Sequence, residues 1–125
     1  MASELRVNTL KDASGNNSVA LSTVAEGSAK AWAHFDGTAS SDHLNDSFNF
    51  SSLTDNGTGD YNPNLTNNMS SVSYACAGSS NQTSSNRGAF RALTYATSTV
   101  TIRIYGNGSA VDASDVSVNF HGDLA

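Results

Sequence analysis

Three histidines, eleven carboxylates and one cysteine are the first groups to weigh in this 125-residue chain for attacking a substrate, moving a proton or holding a metal. His34-Phe35-Asp36 sets an imidazole and a carboxylate two residues apart, which puts both on one face of a strand. With Asp42, His43 and His121 this is the set from which a zinc or acid–base site would be assembled. Spacing fixes no third ligand, so these residues read as a solvated β-surface. Thr54-Asp55-Asn56-Gly57-Thr58-Gly59-Asp60 looks like a calcium loop, with oxygen ligands around a central glycine. A loop of the EF-hand kind needs a bidentate Glu six residues after that glycine, and here the position is Pro63. The segment is therefore predicted to be a tight hairpin turn on Asn56-Gly57. Cys76 alternates with Val72 and Tyr74, the pattern of a buried, inert thiol. A single cysteine forms no intrachain disulfide and no two-cysteine zinc motif. There is no Gly-x-Ser-x-Gly elbow, no phosphate loop and no dinucleotide glycine pattern. The only glutamates, Glu4 and Glu26, both lie near the N-terminus, away from any pairing for glycoside chemistry. The expectation is a non-enzymatic protein with no catalytic residue, no metal and no cofactor.

Composition narrows the partners. The chain carries 21 Ser, 11 Thr, 14 Asn and 10 Gly, against six basic and eleven acidic residues, for a net charge of -5. Six scattered cations supply no stripe to neutralise phosphates, which argues against nucleic acid and against an anionic membrane surface. No apolar run is long enough for a membrane helix. The N-terminus has no basic segment followed by an apolar stretch, so no signal peptide is expected. Eight Asn-x-Ser/Thr triplets then read as composition, and their side chains as caps for turns and sheet edges. Leu, Ile, Val and Phe number 23, just under a fifth of the chain. So small a stock of strong hydrophobes predicts a marginal monomer that gains solidity by self-association into a symmetric homo-oligomer.

The elements are predicted to be short strands, because alternation over five to eight residues recurs between Gly, Asn, Asp and Ser clusters while helix formers are scarce. Leu5 to Leu10 and then Val19 and Leu21 alternate around a turn at Asp12–Asn17, which predicts an N-terminal hairpin or arm. Residues 22–28, polar and small, read as a linker. The division expected is an attachment arm with its linker at 1–28 and a β-sandwich body at 29–125. In the body, strands are predicted at Ala29–Phe35, Leu44–Phe50 (with Phe48 and Phe50 on one face), Gly59–Thr66, Val72–Cys76 and Phe90–Tyr95. In the last of these, Leu93 and Tyr95 are expected to face away from Phe90 and Ala92. Pro63 cannot donate to a ladder, so its strand is predicted at an edge or a bulge. Val100, Ile102 and Ile104 alternate with Thr101 and Arg103, and Val116, Val118 and Phe120 repeat the pattern. Gly106-Asn107-Gly108 is the turn predicted between these two strands. The fold class expected is all-β, an antiparallel β-sandwich or jelly-roll-like body with an N-terminal extended arm.

Two surfaces are candidates for contact with other molecules. The arm offers Leu5, Val7, Leu10, Val19 and Leu21 as apolar anchors. The uncharged loop from Gly78 to Asn86, with Ser79, Asn81, Gln82 and Asn86, has the Ser- and Asn-rich character of adaptable binding loops and is a candidate receptor-facing surface. Trp32, Tyr61 and Tyr74 are rings that a lectin-like module would stack on sugars.

Several stretches resemble a small domain of tail-fibre-like and other virion proteins of tailed phages, notably those of marine and freshwater bacteria. The carriers are Leu5-Arg6-Val7-Asn8-Thr9-Leu10-Lys11-Asp12-Ala13-Ser14-Gly15, Ala29-Lys30-Ala31-Trp32, Asp46-Ser47-Phe48-Asn49, Ser52 to Tyr61, and Asn68-Met69 followed by Tyr74. The resemblance spans most of the chain, and Thr54 to Tyr61 is its most specific part. After that tyrosine the family tends to continue an alternating strand, whereas this chain has Asn62-Pro63-Asn64. The resemblance implies a β-rich virion module, commonly trimeric, without a cofactor. The function expected is a structural protein of a tailed phage: a tail-fibre or appendage subunit, located in the virion, attached through its arm and exposing a β-rich head for host adsorption. Its partners would be itself as a homotrimer, other virion proteins, and a host surface glycan or receptor. A capsid decoration or head-appendage protein is the alternative, and a lectin-like carbohydrate-binding module is the second.

Overall fold

The computed structural model describes residues 3–40, 43–81 and 89–125. The chain is all-β, with eleven strands and one short helix among the described residues. An N-terminal hairpin of β1 (Thr9–Lys11) and β2 (Ser18–Ala20) leads into α1 (Leu21–Gly27). The body holds two antiparallel sheets. One has the order β4-β3-β11-β7, from β4 (Leu44–Phe48), β3 (Ala31–Phe35), β11 (Val116–His121) and β7 (Ala75–Ser80). In the other, β9 (Val100–Gly106) pairs with β8 (Ala89–Tyr95) on one side. On its other side β9 meets β6 (Asp60–Leu65) and the short β10 (Ser109–Ala110), and β5 (Phe50–Gly57) lies outside β6.

The core lies between the sheets, and alternation puts it there. Ala31, Ala33 and Phe35 from β3 and Val116, Val118 and Phe120 from β11 are buried on one inner face. Val100, Ile102 and Ile104 from β9 and Tyr61 and Leu65 from β6 are buried on the other. Edge-to-face aromatic pairs tie the layers together: Phe35 on Tyr61 at 5.2 Å between ring centroids, and Phe50 on Phe120 at 5.2 Å. The strands at 31–35, 100–106 and 116–121 thus follow the predicted period. The hairpin turn at Asn107-Gly108 also follows its chemistry, with φ of 48° and 84° between the paired Gly106 and Ser109. That turn leads only to β10. The chain then crosses to the opposite sheet before β11, so the turn does not join β9 to β11 as predicted.

Elsewhere the structure corrects the strand readings. The run 44–50 is two strands, not one. Asn49 sits at φ 60° and turns the chain from one sheet into the other. Phe50 is therefore buried, while Phe48 is 53% exposed on the outside. Pro63 is buried in an interior strand rather than at an edge. Its missing donor is tolerated because β6 pairs with β9 only at Asp60 and Tyr61 and again at Asn64↔Thr99, and Thr99 Oγ1 donates to the Pro63 carbonyl at 2.7 Å. The two residues of the β5–β6 loop are Thr58-Gly59, not Asn56-Gly57, because Asn56 is the extra residue of a bulge between Asp55 and Gly57. A further register shift between Ala92 and Tyr95 brings Tyr95 back to the core, against Tyr74 at 5.0 Å, and leaves Leu93 outside. Val72 is 53% exposed and precedes β7, which begins only at Ala75. Residues 22–28 are no plain linker: most of them form α1, whose end is closed by Ser28 N–H donating to the Val24 carbonyl at 3.1 Å.

Candidate functional site

The predicted chemical residues do not converge. His34 points outward from β3 with Nε2 3.4 Å from Asp115 and Nδ1 3.4 Å from the Asn45 amide. Asp36 turns instead onto its own loop and accepts from Thr38 N at 2.8 Å and Thr38 Oγ1 at 2.6 Å. Those bonds, the hydroxyl's first, hold its carboxyl below the usual aspartate range. His43 is nearly covered: Nδ1 lies 2.9 Å from the Asp36 carbonyl and Nε2 3.7 Å from Asp55. His121 lies on β11 opposite Ala75, and Asp42 falls outside the described residues. Among the described residues, no three His, Cys, Asp or Glu side chains are grouped to hold a metal ion. The calcium-like run is a hairpin whose side chains satisfy one another. Asn56 donates to Asn62 at 3.1 Å and to Asp60 at 3.3 Å, and Asp60 pairs with Arg103. Burial pushes the Cys76 thiol up to about 12, so it is protonated at neutral pH.

Two of the three predicted sugar-stacking rings are structural. Tyr61 is fully buried, and its hydroxyl donates to Asp112 Oδ1 at 2.7 Å with the Gly37 carbonyl 3.0 Å away. Asp112 Oδ1 also accepts from Gly59 N at 2.6 Å, so one carboxylate fastens the β5–β6 turn to the segment after β10. Burial and that carboxylate both push the Tyr61 phenol well above its ordinary value. Tyr74 is buried beside Phe120, with its hydroxyl 2.9 Å and 3.0 Å from the Ala96 and Thr99 carbonyls. Only Trp32 is available, at 40% exposure. The sequence reading missed its neighbour: Phe48 stands directly opposite Trp32 across the β3–β4 ladder. The signal was Asn49, a residue that tolerates positive φ, placed between two phenylalanines.

The loop Gly78–Asn86 divides. Gly78 and Ser79 belong to β7, and Ser79 is exposed. Asn81 is committed to structure: its backbone N–H donates to the Asp115 carbonyl at 2.9 Å, its amide donates to Ser114 and Asp115, and its Oδ1 accepts from Asp115 N at 3.0 Å. Gln82 and Asn86 lie outside the described residues.

The arm is the least covered part of the described chain. Thr9, Leu10 and Lys11 pair with Ala20, Val19 and Ser18. The connecting turn is held by Asp12, which accepts from Asn17 Nδ2 at 2.7 Å and Asn16 N at 3.0 Å, with Gly15 at φ 72°. Leu5 and Val7 precede β1 rather than alternating within it, and Leu21 opens α1 rather than ending β2. No residue from 3 to 28 is buried, and Leu5, Leu10, Val19 and Val24 are exposed at 78%, 42%, 36% and 41%. No family model matches the chain, and no curated protein or solved structure matches it.

Proposed function

We propose that the chain is a non-enzymatic structural subunit of a tailed-phage particle, a tail-fibre or appendage component that attaches through its N-terminal arm and turns the sandwich outward, working as a homotrimer in the virion. The resemblance of the Leu5–Gly15 and Ser52–Tyr61 stretches to virion modules motivates the reading. One observation carries it: the N-terminal segment presents Leu5, Leu10, Val19 and Val24 to solvent, and its hairpin and helix bury none of their own residues.

A two-stranded hairpin is marginal in water by itself, and a seven-residue helix is shorter than any that is stable alone. Such a segment gains stability when another chain covers it. Each hairpin strand keeps one unpaired edge within its two-stranded sheet, so backbone addition to a neighbouring sheet would satisfy its free groups while Leu5, Leu10 and Val19 are buried. Deleting residues 2–21 tests this. The shortened protein is expected to keep the β-type far-ultraviolet spectrum of the body and its urea midpoint, since nothing in the core is lost, but to be missing from assembled particles. Undiminished incorporation would refute arm attachment. Copy number in particles carrying the full chain separates a tail fibre, at a few trimers each, from a head appendage at lattice multiplicity.

A further inference from the structure

The outer face of the sheet β4-β3-β11-β7 carries two cross-strand aromatic neighbours, Trp32 and Phe48, that are exposed in the described structure, and the geometry points to them as a binding platform for a neutral saccharide. Phe48, Trp32, Asn119 and Ala77 stand opposite one another in a row across the four strands. The next row on the same face is Asp46, His34, Ser117 and Ser79. Trp32 and Phe48 are 40% and 53% exposed. Phe48 faces outward because Asn49 takes its positive φ and passes the chain to the other sheet, which separates it from the buried Phe50.

Size, polarity and charge choose the occupant. An aromatic side chain has roughly 200 Å² to bury, so these two offer on the order of 200 Å² in their exposed state. A stable protein interface needs about 800 Å² on each side, several times more. One or two pyranose rings match the smaller area. The C–H face of a pyranose is apolar and slightly positive, complementary to the negative face of an aromatic ring, and its rim of hydroxyls needs donors and acceptors. Asn119, Ser117 and Asp46 provide those groups next to the rings, where a greasy protein interface would continue with apolar side chains. Asp46 on this face, Asp115 beside His34 and the chain's net charge of -5 disfavour sulfated or carboxylated sugars.

Trp32 is the sole tryptophan, so the intact protein reports on its own site. Its fluorescence should change saturably on titration with at least one of cellohexaose, maltohexaose, chitohexaose and mannohexaose. It should stay unchanged with a heparin hexasaccharide. Calorimetry should show at least tenfold weaker binding for Phe48→Ala, binding within threefold of wild type for Phe48→Tyr, and none for Trp32→Ala. Both alanine variants remove exposed side chains, so an unchanged urea midpoint checks that they fold. No response to any neutral glycan, including those on a glycan array, would overturn the proposal. So would binding that survives both alanine substitutions, or a Trp32 change that follows protein concentration together with sedimentation, which would mean a second copy covers the face. The platform does not depend on the arm. Particles that incorporate a protein unable to bind sugar sink this inference alone, and a sugar-binding protein that never incorporates sinks only the attachment role.

Discussion

Asn49 is one residue long as a connection, yet it joins the two sheets, and its removal should be among the most damaging single changes outside the hydrophobic core. It holds φ at 60°. Its Nδ2 donates to the Lys30 carbonyl at 3.0 Å and the Asn67 carbonyl at 3.1 Å. Its Oδ1 accepts from Asn67 N at 2.8 Å and Asn67 Nδ2 at 3.1 Å, while its own carbonyl accepts from Thr66 N at 3.0 Å. Alanine would delete the four side-chain bonds and put a residue without asparagine's tolerance of left-handed backbone at φ 60°. Partly exposed bonds contribute about 0.5–1 kcal/mol each, so together they are worth about 2–4 kcal/mol. The backbone adds about 1 kcal/mol for a residue other than Gly or Asn. Asn49→Ala should therefore destabilise by about 3–5 kcal/mol, a large share of the roughly 5–15 kcal/mol that holds a domain together. Asn49→Gly loses the same bonds but not the backbone allowance, and should be milder by about 1 kcal/mol. Urea unfolding followed by circular dichroism measures both. An alanine variant within 1 kcal/mol of wild type, or a glycine variant worse than alanine, would refute the account of this corner.

Three further outcomes follow from Cys76 and Tyr61. With the Cys76 thiol pushed up to about 12, its thiolate is scarce at pH 8, whereas an ordinary thiol near 8.5 is about a quarter ionised there. Iodoacetamide should label the native protein on the order of a thousandfold more slowly than the urea-unfolded chain, and equal rates would show the thiol is not shielded. The linkage has a definite sign: above about pH 8.5 the unfolded thiol loses its proton and the folded one keeps it, so stability falls as pH rises from there toward 12. Tyr61→Phe removes the donor to Asp112 while Gly59 N remains on that carboxylate, and should cost about 1–3 kcal/mol in urea unfolding, where a neutral result would mean the hydroxyl is not bonded to the charge.

Local pattern was enough wherever one strand faces one core without interruption. Val100 to Ile104 and Val116 to Phe120 alternate because a pleated chain sends successive side chains to opposite faces, and the buried set can be read directly. The turns at Asp12–Asn17 and Asn107-Gly108 were equally legible, since Asp accepts backbone donors and Asn and Gly accept positive φ. Tertiary structure decided whatever depends on a partner strand. A bulge or a switch of sheets inverts the inward and outward parity of everything after it, and the partner's register, not the strand's own composition, sets where that happens. That is why Phe48 lies outside and Phe50 inside, why Tyr95 returns to the core, and why Pro63 sits in an interior strand. Leu10 and Val19 could be placed in a hairpin from their spacing around the Asp12–Asn17 turn, whereas Leu5 and Val7 lie before β1 and Leu21 opens α1. That none of residues 3–28 is buried against the sandwich is a fact of packing, because exposure depends on what the rest of the chain leaves uncovered.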